Sequence, residues 1–132
     1  MRATLPLMLL LAILCPAMVI ADDASRLKRI AGSFEGEILS DGKFIPITTV
    51  WRVMPTGALE GHYVFIEART KQISGELSDC RPAALLDVSC QWHDPYGTGR
   101  AVFTFADDLK SFNASWASSA QPGWYPWTGT RK

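Results

Sequence analysis

The sequence has little of what a metal, redox or nucleic-acid protein requires. Among its 132 residues only two are histidine and three are cysteine, and Lys plus Arg balance Asp plus Glu at 13 each. His62 has Glu60 and Glu67 nearby and His93 is followed by Asp94, but neither set has the spacing of metal ligands, so no metal centre is expected. No long run of one charge sign occurs, which argues against the basic stripe that tracks a phosphate backbone. The glycines of Gly97-Thr98-Gly99 are not followed by a helical pattern, so they are not read as a phosphate loop, and no cofactor is expected.

Apolar runs are also scarce beyond the first residues. Arg2 precedes an apolar stretch from Leu5 to about Leu14, then Pro16, then Val19-Ile20-Ala21 before two aspartates. This is the pattern of a secretory signal peptide over residues 1–21, cut after Ala21. The stretch is shorter than the roughly 20 residues of a membrane span. Cys15 raises lipidation as an alternative, although bulky Leu14 occupies the place where that signal needs a small residue.

Residues 22–132 are then enough for one domain and too few for two. Setting Arg2 aside leaves 12 basic side chains against 13 acidic, a nearly neutral chain. Cys80 and Cys90 remain as a pair, and in a secreted or periplasmic setting they are expected to form a disulfide stabilising the fold by roughly 2–3 kcal/mol.

What the chain does have is alternation. After "SRLKRIAG", which spaces Leu27, Ile30 and Ala31 as a short helix ending at Gly32, the apolar period becomes two. Phe34 to Ile38 is followed by the turn Asp41-Gly42, and Phe44 to Met54 by Pro55-Thr56-Gly57. Further sets run through Leu59 to Phe65, Ile73 to Leu77, Val88 to Trp92, Ala101 to Phe105, Phe112 to Trp116 and Tyr125 to Arg131, with loops at 81–87 and 118–123. A small residue recurs beside a large one in "FEGE", "LEGH", "ISGE", "FNAS" and "WTGT", at uneven spacing, which suits strands that bend and approach closely. Eight antiparallel strands in so small a domain would leave two unpaired edges, and closure removes them. The expected fold is all-β: an eight-stranded antiparallel up-and-down barrel with a short N-terminal helix and one disulfide.

The lead-in "AGSF" and the terminal "WTGTR" resemble the lipocalin and avidin superfamily of eight-stranded barrels. The resemblance implies that Phe34, where lipocalins usually have Trp, is an aromatic covered by Arg131 at the barrel's base. Such a contact stabilises by about 0.5–2 kcal/mol and can satisfy helix-end carbonyls. The polar biotin ligands of the avidins do not map onto this chain. The patterns W-x-D-x-Y-G-x-G, F-x-x-D-x-x-S-F-x-x-x-W and W-x-G-x-R are similar to those of uncharacterised exported bacterial proteins, and that likeness brings no activity with it.

The stretch "QWHDPYGTGR" admits two readings. His93 could act as a general base oriented by Asp94, with Tyr96 or Arg100 polarising a substrate. Alternatively it is a bend in which Asp94-Pro95 opens the turn, Gly97 and Gly99 supply the backbone freedom, and Asp94 faces Arg100. Adjacent residues of a strand point to opposite faces, which favours the bend over catalysis. Trp92, Trp116 and Trp127 read as core, while Trp124 and Tyr125 follow "SSAQPG" and read as a rim.

The function expected from these residues is non-enzymatic binding of a small, partly apolar ligand at the open end. Trp51, Tyr63, Trp124 and Tyr125 would supply contact area, and His93, Tyr96 and Arg100 polar contacts. The alternative is an envelope protein–protein interaction module or inhibitor that uses its loops. A ligand cup should leave about 300 Å3 or more, whereas a module of the second kind can be solid. A hydrolase or isomerase would instead require His93, Asp94 and Tyr96 to converge.

Overall fold

A computed structural model describes residues 25–132. The signal peptide, its cleavage after Ala21 and the lipidation of Cys15 fall outside the described residues. Residues 25–30 form a short helix, α1. Eight strands follow: β1 (Gly32–Ser40), β2 (Lys43–Val53), β3 (Leu59–Glu67), β4 (Lys71–Ala84), β5 (Asp87–Asp94), β6 (Gly97–Phe105), β7 (Ser111–Ser118) and β8 (Tyr125–Arg131). Each pairs antiparallel with the next, and β8 pairs with β1, closing the barrel. No sheet edge is left open, which is the outcome the alternation required.

Turn chemistry sets the register. Ser40 pairs with Lys43 across Asp41 and Gly42, whose φ angles are 50° and 74°, the paired left-handed geometry that matches strand twist in a two-residue hairpin. Inward positions on the strands carry the core, among them Phe34, Ile47, Trp51, Leu77, Phe103 and Trp127, all nearly inaccessible. Rings fill the lower half of the barrel. Trp51 stands edge-on to Phe103 with centroids 4.7 Å apart, and Phe34 lies 5.4 Å from Phe112. Such pairs each add about 0.5–1.5 kcal/mol to the burial of the rings themselves.

The base is closed by Arg131. Its guanidinium carbon sits 4.6 Å from the centre of the Phe34 ring. Its nitrogens donate to the carbonyls of Arg29 (2.7 Å), Ala31 (2.8 Å) and Leu109 (3.0 Å). One planar fork thus satisfies the otherwise unpaired end of α1 and the β6–β7 loop while covering an aromatic face.

The structure departs from the sequence reading at residues 81–84. These were expected in a loop, but β4 continues through them to Ala84. Its register with β5 slips between Ser78 and Arg81, so that Asp79 and Cys80 together face Cys90. Asp79 has a left-handed φ of 51°, and the bulge turns Cys80 toward the side on which Cys90 is buried. The Cys80–Cys90 disulfide therefore staples neighbouring strands at a bulge, with Cα atoms 4.1 Å apart. No helix among the described residues is long and apolar enough to cross a membrane.

Candidate functional site

The barrel is solid below and hollow above. At the end opposite α1 the strands open on a cavity of about 240 Å3. Its floor and walls come from Tyr63 and Phe65 on β3, Trp92 on β5, Trp116 on β7 and Trp127 on β8. At the mouth stand Ser40, Asp94, Tyr96 and Ser118, with Gln121 from the β7–β8 loop. The volume is below the roughly 300 Å3 expected of a cup for a drug-sized ligand. It equals about eight waters at roughly 30 Å3 each, so it suits a small molecule or one end of a larger one.

Glycines make room for these rings. A Cβ on Gly75 would clash with the hydroxyl end of the Tyr63 ring, and one on Gly99 would meet both the Trp92 indole and the Ala117 carbonyl. The small residue of "ISGE" therefore lets the Tyr63 ring lie flat across β4, a close approach that only glycine permits.

Polar tips fix the rings in place. Trp92 Nε1 donates to Ala117 O at 2.9 Å, Trp116 Nε1 to Leu39 O at 3.0 Å and Trp127 Nε1 to Thr49 Oγ1 at 3.2 Å. The Tyr63 hydroxyl donates to Asp94 Oδ2 at 2.7 Å, and the Tyr96 amide donates to Asp94 Oδ1 at 2.8 Å. The Tyr96 hydroxyl bonds Glu67, and the Lys71 ammonium lies 5.9 Å from the centre of the Tyr96 ring. Burial, then the hydrogen bond to Asp94, then the charges of Asp94 and Glu76 hold the Tyr63 phenol well above its ordinary pKa, so it stays a donor. The hydrogen bond to Glu67 likewise raises the Tyr96 phenol.

The residues singled out in the sequence are dispersed. Tyr63 and Tyr96 line the cavity. Trp51, only 1% exposed, belongs to the packed lower half, where its Nε1 has no partner among the described residues. His93 is exposed on the outer wall between Glu76 and Thr98. Arg100 is also outside, where it donates to Ser89 at 2.7 Å in a polar groove beside Asp79 and Arg81. Trp124 is 56% exposed outside the cavity lining, and Tyr125 lies against Trp116 with ring centroids 5.1 Å apart.

"QWHDPYGTGR" is therefore a bend between β5 and β6, and His93 and Asp94 point to opposite faces of the wall. Asp94 does not face Arg100 as expected but turns into the mouth. The signal was present: Val88, Cys90 and Trp92 face inward at every second position, and the next is Asp94. Trp92 and Trp127 are core residues, as the alternation implies, whereas Trp116 is only partly buried against that core, and all three form the cavity wall. No group of three His, Cys, Asp or Glu side chains suited to a metal occurs among the described residues. No protein-family model matches the chain, and a search of characterised sequences finds no relative.

Proposed function

We propose that this chain is an exported, lipocalin- or avidin-like protein that binds a small, partly apolar ligand in the open end of its barrel and performs no chemistry on it. The observation that carries this reading is the cavity of about 240 Å3, walled by rings held in place by their own hydrogen bonds, with one carboxylate at its mouth. Preorganised apolar walls with few polar groups are the usual composition of a small-molecule site. A non-enzymatic role is supported by the separation of His93, exposed on the outer wall, from Asp94 in the mouth, so that the general-base pair the sequence offered is not assembled. The disulfide fits an oxidising compartment. The test is native mass spectrometry of mature protein purified from its own exported compartment: retained small-molecule mass supports carriage.

A second reading, an envelope interaction module, is favoured by one observation. Phe44, Ile66, Tyr96 and Trp124 are each more than half exposed, all on strands or loops at the open end. A polypeptide co-purifying without bound small molecule would favour it.

A further inference from the structure

The polar composition of the cup is lopsided. Each indole N–H in its wall is already bonded to a protein acceptor, and the Tyr63 hydroxyl is bonded to Asp94. Among the residues lining the cavity, Asp94 alone carries a formal charge. Its carboxylate receives hydrogen bonds from the Tyr63 hydroxyl and the Tyr96 amide, which occupy two of its roughly four lone-pair sites. Ser40, Ser118 and Gln121 can donate or accept at the rim. The interior thus presents acceptor capacity and aromatic surface, with no fixed cation and no free ring N–H.

That imbalance decides what can enter. A ligand that fills the mouth strips water from the lone-pair sites of Asp94 that Tyr63 and Tyr96 leave open, and a desolvated carboxylate without a compensating positive charge is unfavourable. A carboxylate or phosphate ligand would add repulsion to that cost. A protonated amine removes the cost by donating N–H groups to Asp94, and its charge is attracted by the surrounding rings. Trp92 and Trp116 stand at 87° to each other with centroids 5.7 Å apart, two differently oriented rings lining the same cavity as Asp94. The Lys71 ammonium against the Tyr96 ring is balanced by Glu67, its cross-strand partner, so the rim does not cancel the negative site.

Resting on the cup being the ligand site, we propose that the ligand is a protonated primary or secondary amine on a short apolar or flat body, with Asp94 as its counter-ion. The discrimination runs against fatty acids and other anions.

The experiment compares three probes of one shape and different charge, benzylammonium, benzyl alcohol and benzoate, by tryptophan fluorescence titration of residues 22–132 with the disulfide formed. Benzylammonium is expected to bind at least tenfold more tightly than the alcohol, with benzoate weakest, and the preference should shrink as salt is raised. Asp94→Asn keeps an acceptor for the Tyr63 hydroxyl and should bring amine and alcohol to within about twofold. Glu35→Gln, which removes a carboxylate at the base beside Lys132, should keep the preference, and the charge series on the unaltered protein stands even if Asp94→Asn does not fold. Equal binding of amine and alcohol would overturn the charge assignment while leaving the cup as a ligand site. Preference for benzoate, or no response to any of the three probes, would overturn it too, and the retained-mass measurement would then bear on the cup separately.

Discussion

The Tyr63 hydroxyl reaches Asp94 across 31 residues of sequence, tying the middle of β3 to the end of β5 at 2.7 Å. This bond holds the one carboxylate of the cup in place, and it also makes the fold sensitive to base. Tyr63 keeps its proton in the folded state well above the pKa near 10 that it has when unfolded, so above that pH the folded state binds more protons than the unfolded one. Its contribution is complete below about pH 10 and falls as pH rises further.

The expected outcome is a urea midpoint that declines steeply above pH 10 in the unaltered protein. Tyr63→Phe should lower stability by about 1.5–3 kcal/mol at neutral pH, because it removes a hydrogen bond to a charged acceptor, and should flatten the alkaline decline. Parallel alkaline curves for the two proteins would show that Tyr63 is not the group responsible.

Arg131 is the corresponding device at the other end. Arg131→Ala leaves the Arg29, Ala31 and Leu109 carbonyls without their donor and uncovers the Phe34 ring, at an expected cost of about 2–3 kcal/mol. Arg131→Lys keeps the charge but not the fork and should recover only part of the loss. Urea denaturation measures both, and hydrogen exchange should show α1 amides losing protection first. A loss below about 0.5 kcal/mol for Arg131→Ala, the range of ordinary surface substitutions, would mean that the base is closed without it.

One hairpin uses the wrong residues for its shape. Ala68 and Arg69 open the three-residue β3–β4 turn that ends at Thr70, with left-handed φ angles of 47° and 69° like those of Asp41 and Gly42 between β1 and β2. A left-handed non-glycine residue costs roughly 1–2 kcal/mol, against about 0.4–1 kcal/mol of chain entropy for an added glycine. The double replacement Ala68→Asn with Arg69→Gly should therefore stabilise by about 1 kcal/mol and raise Tm by roughly 4–8 °C. Calorimetry that finds a lowered Tm would contradict the turn geometry.

Much of the barrel was legible because a strand with one buried face writes its register into every second residue. Phe34 to Ile38 and Ala101 to Phe105 needed nothing else, and Asp41-Gly42 announced its own turn. The resemblance of "AGSF" and "WTGTR" to lipocalin-like barrels placed Arg131 over Phe34. The β4 continuation was illegible for the converse reason: a bulge at Asp79 and Cys80 resets the alternation, so Pro82 to Ala84 no longer look like the strand that contains Ile73 and Leu77.

The site is less legible in the sequence than the fold. Aromatic content could not separate Trp51, packed against Phe103, from Trp116, beside the cavity, because both sit at inward positions and differ only in height along the barrel. Asp-Pro is a strong turn signal, and that local chemistry hides the inward parity Asp94 shares with Trp92. It performs both roles: its Oδ1 accepts from the Tyr96 amide two residues on, while its Oδ2 faces Tyr63.

The most direct test of the whole account is an NMR titration of the five indole N–H signals, assigned by single Trp→Phe replacements, with benzylammonium. The signals of Trp92, Trp116 and Trp127 should move together and saturate with one affinity while those of Trp51 and Trp124 stay still. Movement confined to Trp124, or shared equally by buried Trp51, would contradict a ligand site in the open end of the barrel.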